Sequence, residues 1–154
     1  ISILPNFHFI GNGLYETDHR AGPRPLPLRC YSLAERNVAR EVSRDPVHSV
    51  IIFKSALETL EYLNKPENLE NKEKVYLIFL DINMPLMSGW EFLDKIKKHV
   101  LYDQIHVIMV TSSIDQKDRS RAETYQRVID YIEKPVTVKH YEVVKQLKSI
   151  NEFF

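Results

Sequence analysis

VYLIFLD (Val75–Asp81) is an unbroken apolar run closed by one carboxylate. A strand with one wet face would alternate apolar and polar side chains. A run without alternation predicts a strand buried on both faces, and so a parallel sheet covered by helices. IHVIMVT (Ile105–Thr111) repeats the pattern, VIDYI (Val128–Ile132) adds a third strand, and VHSVIIF (Val47–Phe53) a β-branched strand upstream.

Helical stretches separate these runs. SALETLEYL places Leu57, Leu60 and Leu63 on one face, and the polar, proline-containing Asn64–Lys74 reads as a loop. INMPLMSG is a loop ending in the N-cap candidate Ser88, after which Trp90, Phe92, Leu93 and Ile96 mark a helix to about His99. SSIDQKDRSRAETYQR has helical character but only Ile114, Ala122 and Tyr125 to bury, which predicts weak docking. EKPV reads as a turn, and Val144, Leu147 and Ile150 give the inner face of a closing helix. Strand and helix alternate throughout, which predicts an α/β fold with a doubly wound open parallel sheet.

The totals bound the function. At 154 residues, with 44% hydrophobic and 27% charged, the chain suits one compact globular domain. No apolar run approaches the ~20 residues that span a bilayer. The first residues lack the charged start and apolar stretch of a secretion signal, and the single cysteine, Cys30, can form neither an internal disulfide nor a thiolate metal cluster. A cytoplasmic protein without membrane contact is expected. Basic and acidic residues balance at 21 each, which argues against nucleic acid as a partner.

The composition is not uniform. Residues 1–53 hold six arginines and no lysine, whereas the rest holds twelve lysines and three arginines. Five of the eight prolines and three of the four glycines precede residue 47. Residues 1–46 therefore read as an atypical N-terminal segment with a candidate first helix over 32–44, and 47–154 as the main domain. A frame change upstream of Ser49 is the simplest source of such a break.

In an open parallel sheet, ligands bind beyond the carboxyl ends of the strands. Three strands end there in Asp81, in Thr111, and in Glu133-Lys134-Pro135, so the fold gathers a carboxylate, a hydroxyl and an ammonium at one edge. Singly, each has an ordinary reading as a turn cap, a strand former and a solvated charge. Together they suit phosphoryl transfer to a carboxylate nucleophile, with Lys134 and Thr111 neutralising and hydrogen-bonding the phosphoryl oxygens.

LIFLDINMPLMSGWEFL, IMVTSS and VIDYIEKP resemble the three signature segments of two-component response-regulator receiver domains, over about residues 49–150. The resemblance implies Asp81 as phosphoacceptor and Asn83 as donor of a backbone carbonyl to Mg²⁺. It implies Thr111 as switch hydroxyl, Lys134 as the cation before a cis peptide at Pro135, and Tyr131 as switch aromatic. Gly89 falls in the loop after the acceptor, where a positive φ is expected. The implied partners are a histidine kinase or phosphotransfer protein and a downstream protein. The family also often dimerises through its last helix and strand. No output domain follows the last helix, so signalling by protein contact is expected.

The family also places one or two metal-binding acids at the end of its first strand. Counting back from Val47 puts that place near Leu28-Arg29-Cys30, without an acid and beside a proline that suits a central strand badly. NFHFIG (Asn6–Gly11), followed by Glu16 and Asp18, is the other candidate, but it demands a loop of about twenty residues. The expectation is weak Mg²⁺ binding and slow or absent phosphorylation, since a hard cation is held largely by carboxylate charge. The rival function is a pseudo-receiver, a binding module that keeps the fold without the phosphorylation. A phosphohydrolase of the haloacid dehalogenase type would need an acid where Asn83 stands.

Overall fold

The computed structural model describes residues 5–10, 49–53, 55–72, 74–84, 86–112 and 115–148. The candidate helix 32–44, the LPLRCY strand candidate, Glu16, Asp18, Arg29, Cys30, Ile114 and Ile150 lie outside them.

Five parallel strands form one sheet: β1 (Pro5–Ile10), β2 (Ser49–Phe53), β3 (Val75–Asp81), β4 (Ile105–Thr111) and β5 (Val128–Glu133). Their spatial order is β2-β1-β3-β4-β5, the flavodoxin-like order whose switch point lies between β1 and β3. The helices are α1 (Ala56–Leu63), α2 (Pro66–Leu69), α3 (Gly89–Ile96), α4 (Gln116–Ala122) and α5 (Val138–Lys145).

Of the two candidate first strands, NFHFIG supplies β1. Phe7 pairs with Val50 on one side and Leu77 on the other, and Ile10 pairs with Phe53 and Leu80. Its proline stands at the first strand position, where a missing donor costs least. The connection to β2, residues 11–48, lies outside the described residues. The N-terminal strand is therefore present, and atypical in its distance from the next.

Every residue of β3 and β4 is buried, as the unbroken apolar runs require. Alternate side chains enter two cores: Ile78, Leu80, Val107 and Met109 meet Phe92, Leu93 and Ile96 of α3, whereas Leu77, Phe79, Ile108 and Val110 meet Tyr141 and Val144 of α5. β5 is only half-buried and joins β4 through a register irregularity at Val107/Ile108, as befits an edge strand.

Three details depart from the sequence reading. Leu57 is 44% exposed, because α1 buries Ala56, Thr59 and Leu63 instead. Thr59 can be buried because its hydroxyl donates to the Ser55 carbonyl. Inside the expected 64–74 loop, Pro66 opens the one-turn α2, whose buried Asn68 donates to the Tyr62 carbonyl and accepts from Lys74. On α5, Tyr141 joins Val144 on the inner face, with Leu147 partly buried beyond the helix.

Candidate functional site

Asp81 closes β3 with only 2% of its surface exposed. Its Oδ2 accepts from Lys134 Nζ at 2.5 Å, and its Oδ1 accepts from the Asn83 backbone N–H at 3.1 Å. Burial of a carboxylate is tolerable only with such partners, so the pair belongs to this fold's minimum and not to a flexible surface. The Lys134 side chain is 37% exposed and forms the rim of the site.

Thr111 closes β4 one residue beyond Val110, the register partner of Asp81, and is itself buried. The Lys134 N–H donates to the Thr111 carbonyl at 2.7 Å, so the two side chains leave neighbouring strands from a hydrogen-bonded pair of backbones. The Lys134–Pro135 peptide is cis, as the resemblance implies. The structure thus brings the three side chains read from the sequence to one end of the sheet.

Tyr131 is half-buried, with its hydroxyl oxygen inside the protein. Burial raises its pKa, while the neighbouring Thr111 side chain opposes that shift. Asp118 and Asp115 of the α4 region also raise it. The phenol therefore stands between the Thr111 strand end and α4.

The loop from Asp81 to α3 corrects the expectation for Gly89. Its φ is not positive. Glycine is required there by close approach: an added Cβ would lie 2.6 Å from the Asp81 carbonyl oxygen and 3.0 Å from Ile82 Cα. The Gly89 N–H donates to the Ile82 carbonyl, so α3 starts directly on the backbone of the carboxylate. The positive φ falls instead on Leu86, at 67°, and no pattern in the sequence marks it. Ser88 caps α3 as expected and forms a full capping box with Glu91, whose pKa is lowered by hydrogen bonds from Ser88.

The described residues alone make a poor divalent-cation site. Among the described residues, no group of three His, Cys, Asp or Glu side chains could hold a metal ion. Asp81 has both oxygens engaged, one of them by a cation. The residues that follow β1, where the resemblance puts the metal-binding acids, lie outside the described residues.

The family model of the response regulator receiver domain matches residues 35–146. The chain belongs to the response regulator receiver family. The receiver is 29% identical over 104 residues to the response regulator Rcp1 of Synechocystis sp., covering 66% of this chain and 71% of that protein. It is 29% identical over 144 residues to the two-component response regulator ARR5 of Arabidopsis thaliana, covering 87% and 74% respectively. A two-component response regulator structure from Cytophaga hutchinsonii superposes with a TM-score of 0.66 at 21% identity, over 97% of this receiver and 98% of that chain. The family match starts at residue 35 and so omits β1, the strand after which the acids of the family would stand. Among the described residues, no helix is long and apolar enough to cross a membrane.

Proposed function

We propose that Asp81 accepts a phosphoryl group from a phosphohistidine donor, a histidine kinase or phosphotransfer protein, and that this cytoplasmic receiver signals through protein contact. The observation that carries the reading is the buried carboxylate paired with Lys134 at 2.5 Å. An Asp81 oxygen attacks phosphorus, the bond from phosphorus to the donor breaks with its electron pair leaving on the donor, and an acyl phosphate results. The Lys134 ammonium, already at the carboxylate, then neutralises a phosphoryl oxygen, and the Thr111 hydroxyl donates to another. Drawing Thr111 toward the phosphoryl group changes the space beside the Tyr131 phenol, which gives the switch its first step. No step is assigned to a metal: Asp81 and the Asn83 carbonyl alone would bind Mg²⁺ weakly, and charge neutralisation falls chiefly on Lys134.

The second reading, a pseudo-receiver, is favoured by Gly11-Asn12-Gly13 after β1. Incubation with acetyl phosphate and Mg²⁺ followed by intact-mass measurement separates the two. One added phosphoryl group, absent in Asp81→Asn and about 10²–10³-fold slower to appear in Lys134→Ala, is the expected result. An unchanged mass across all Mg²⁺ concentrations leaves the pseudo-receiver standing.

A further inference from the structure

We infer that His140 is a positioning residue for Lys134, holding the turn that carries the ammonium through the backbone N–H of Thr137. His140 is the third residue of α5, the helix that follows Lys134 after Pro135, Val136 and Thr137. Its Nδ1 accepts from the Thr137 N–H at 3.1 Å, and the Thr137 hydroxyl lies 3.2 Å from the same nitrogen. A backbone N–H can only donate, so Nδ1 carries no hydrogen and the ring proton sits on Nε2. Glu or Gln is the usual residue at this place, reaching back to the N–H of the capping residue. Here a rigid imidazole takes that part.

Three holds converge on this short turn. The Lys134 N–H donates to the Thr111 carbonyl at 2.7 Å, Val136 is buried in the core that α5 shares with β3 and β4, and His140 holds Thr137. The Thr137 carbonyl in turn accepts from the N–H of Tyr141, which is buried in the same core. Only Pro135 and Val136 separate the backbone bond of Lys134 from that of Thr137, and a proline has no donor to hold it by itself. The turn is thus fixed on β4 at one end and on α5 at the other. This matters because the Lys134 side chain is 37% exposed, yet its Nζ stands 2.5 Å from Asp81 Oδ2. A long side chain near solvent loses rotamer freedom in keeping one geometry, and a fixed backbone lowers that cost. The catalytic consequence rests on the proposed phosphorylation of Asp81; the hold on the Lys134 backbone does not.

Hydrogen exchange on the full chain without phosphodonor tests the hold, comparing His140→Ala with His140→Gln. Alanine has no acceptor, whereas glutamine supplies the ordinary one. In His140→Ala the Lys134 amide should exchange about fivefold faster, along with those of Thr137 and Tyr141, while the β3 amides keep their rates. In His140→Gln the Lys134 amide should return to the rate of the unmodified protein. Faster exchange confined to Thr137–Tyr141 would make His140 a cap of α5 alone and overturns the proposal. So does a glutamine variant that exchanges at Lys134 as fast as the alanine one. Phosphoryl uptake from acetyl phosphate and Mg²⁺, followed by intact mass well below each variant's thermal midpoint, tests the consequence. His140→Ala should lower the maximal rate about tenfold at an unchanged half-saturating concentration, and His140→Gln should restore it. Equal maximal rates in all three proteins overturn the positioning role. No uptake by the unmodified protein overturns the phosphoacceptor reading instead, and the exchange of the Lys134 amide then decides alone whether His140 holds it.

Discussion

At residue scale the loop after Asp81 is governed by two backbone facts, and both are open to test. Gly89 is there because no Cβ fits between α3 and the Asp81 carbonyl. Gly89→Ala should therefore destabilise the fold by about 1–3 kcal/mol, the usual cost of forcing an extra carbon into packed structure, read as a lower urea midpoint. Leu86 is the opposite case: 89% exposed and left-handed, it buries almost nothing and bears the strain of its φ. That conformation costs an L-residue about 1–2 kcal/mol, against about 0.5–1 kcal/mol for the added freedom of glycine in the unfolded chain. Leu86→Gly should raise stability by about 0.5–1 kcal/mol. A fall in the urea midpoint would show that Leu86 makes a contact its exposure does not suggest. The two positions also mark what spacing alone could not show: a glycine in a loop announces either a positive φ or a close approach, and only the neighbouring backbone decides between them.

At the scale of elements, caps and apolar phase explain most of what forms. The Ser88–Glu91 capping box satisfies orphan donors where α3 begins, so Ser88→Ala should cost about 1 kcal/mol and lower the thermal midpoint. The box is legible as Ser-x-x-Glu before an apolar run. The phase of α1 is not, because the leucines at 57, 60 and 63 suggest a face that Thr59 displaces once its hydroxyl finds the Ser55 carbonyl. The one-turn α2 is hidden in the sequence because four residues carry no period, and its proline reads equally as breaker or first residue.

For the whole molecule, the buried His106 on β4 sets a pH limit on stability. Burial, aided by the nearby Arg127 charge, lowers its folded pKa below the ordinary 6.5. The unfolded chain therefore takes up this proton first as pH falls, and stability declines from about pH 6.5 down to the folded pKa, then levels. Above that window both states hold the neutral imidazole and the proton-linked penalty is absent. His106→Gln should flatten the decline of the urea midpoint across the window, leaving the contribution of His99, whose pKa burial also lowers. An undiminished slope in the variant would assign the effect elsewhere.

The chain order of apolar runs, their lack of alternation and the residues at their ends are enough to establish the parallel sheet and to name Asp81, Thr111 and Lys134, since strand burial and side-chain period are local properties. Which segment becomes the central strand is not a local property. Asn6–Ile10 is no more strand-like than several other stretches, and it becomes β1 by pairing with β2 and β3 at once, a choice made by contacts distant in sequence. The same holds for the ion pair at Asp81 and the close approach of Gly89. Each depends on where packed elements leave room, and packing is a property of the assembled chain.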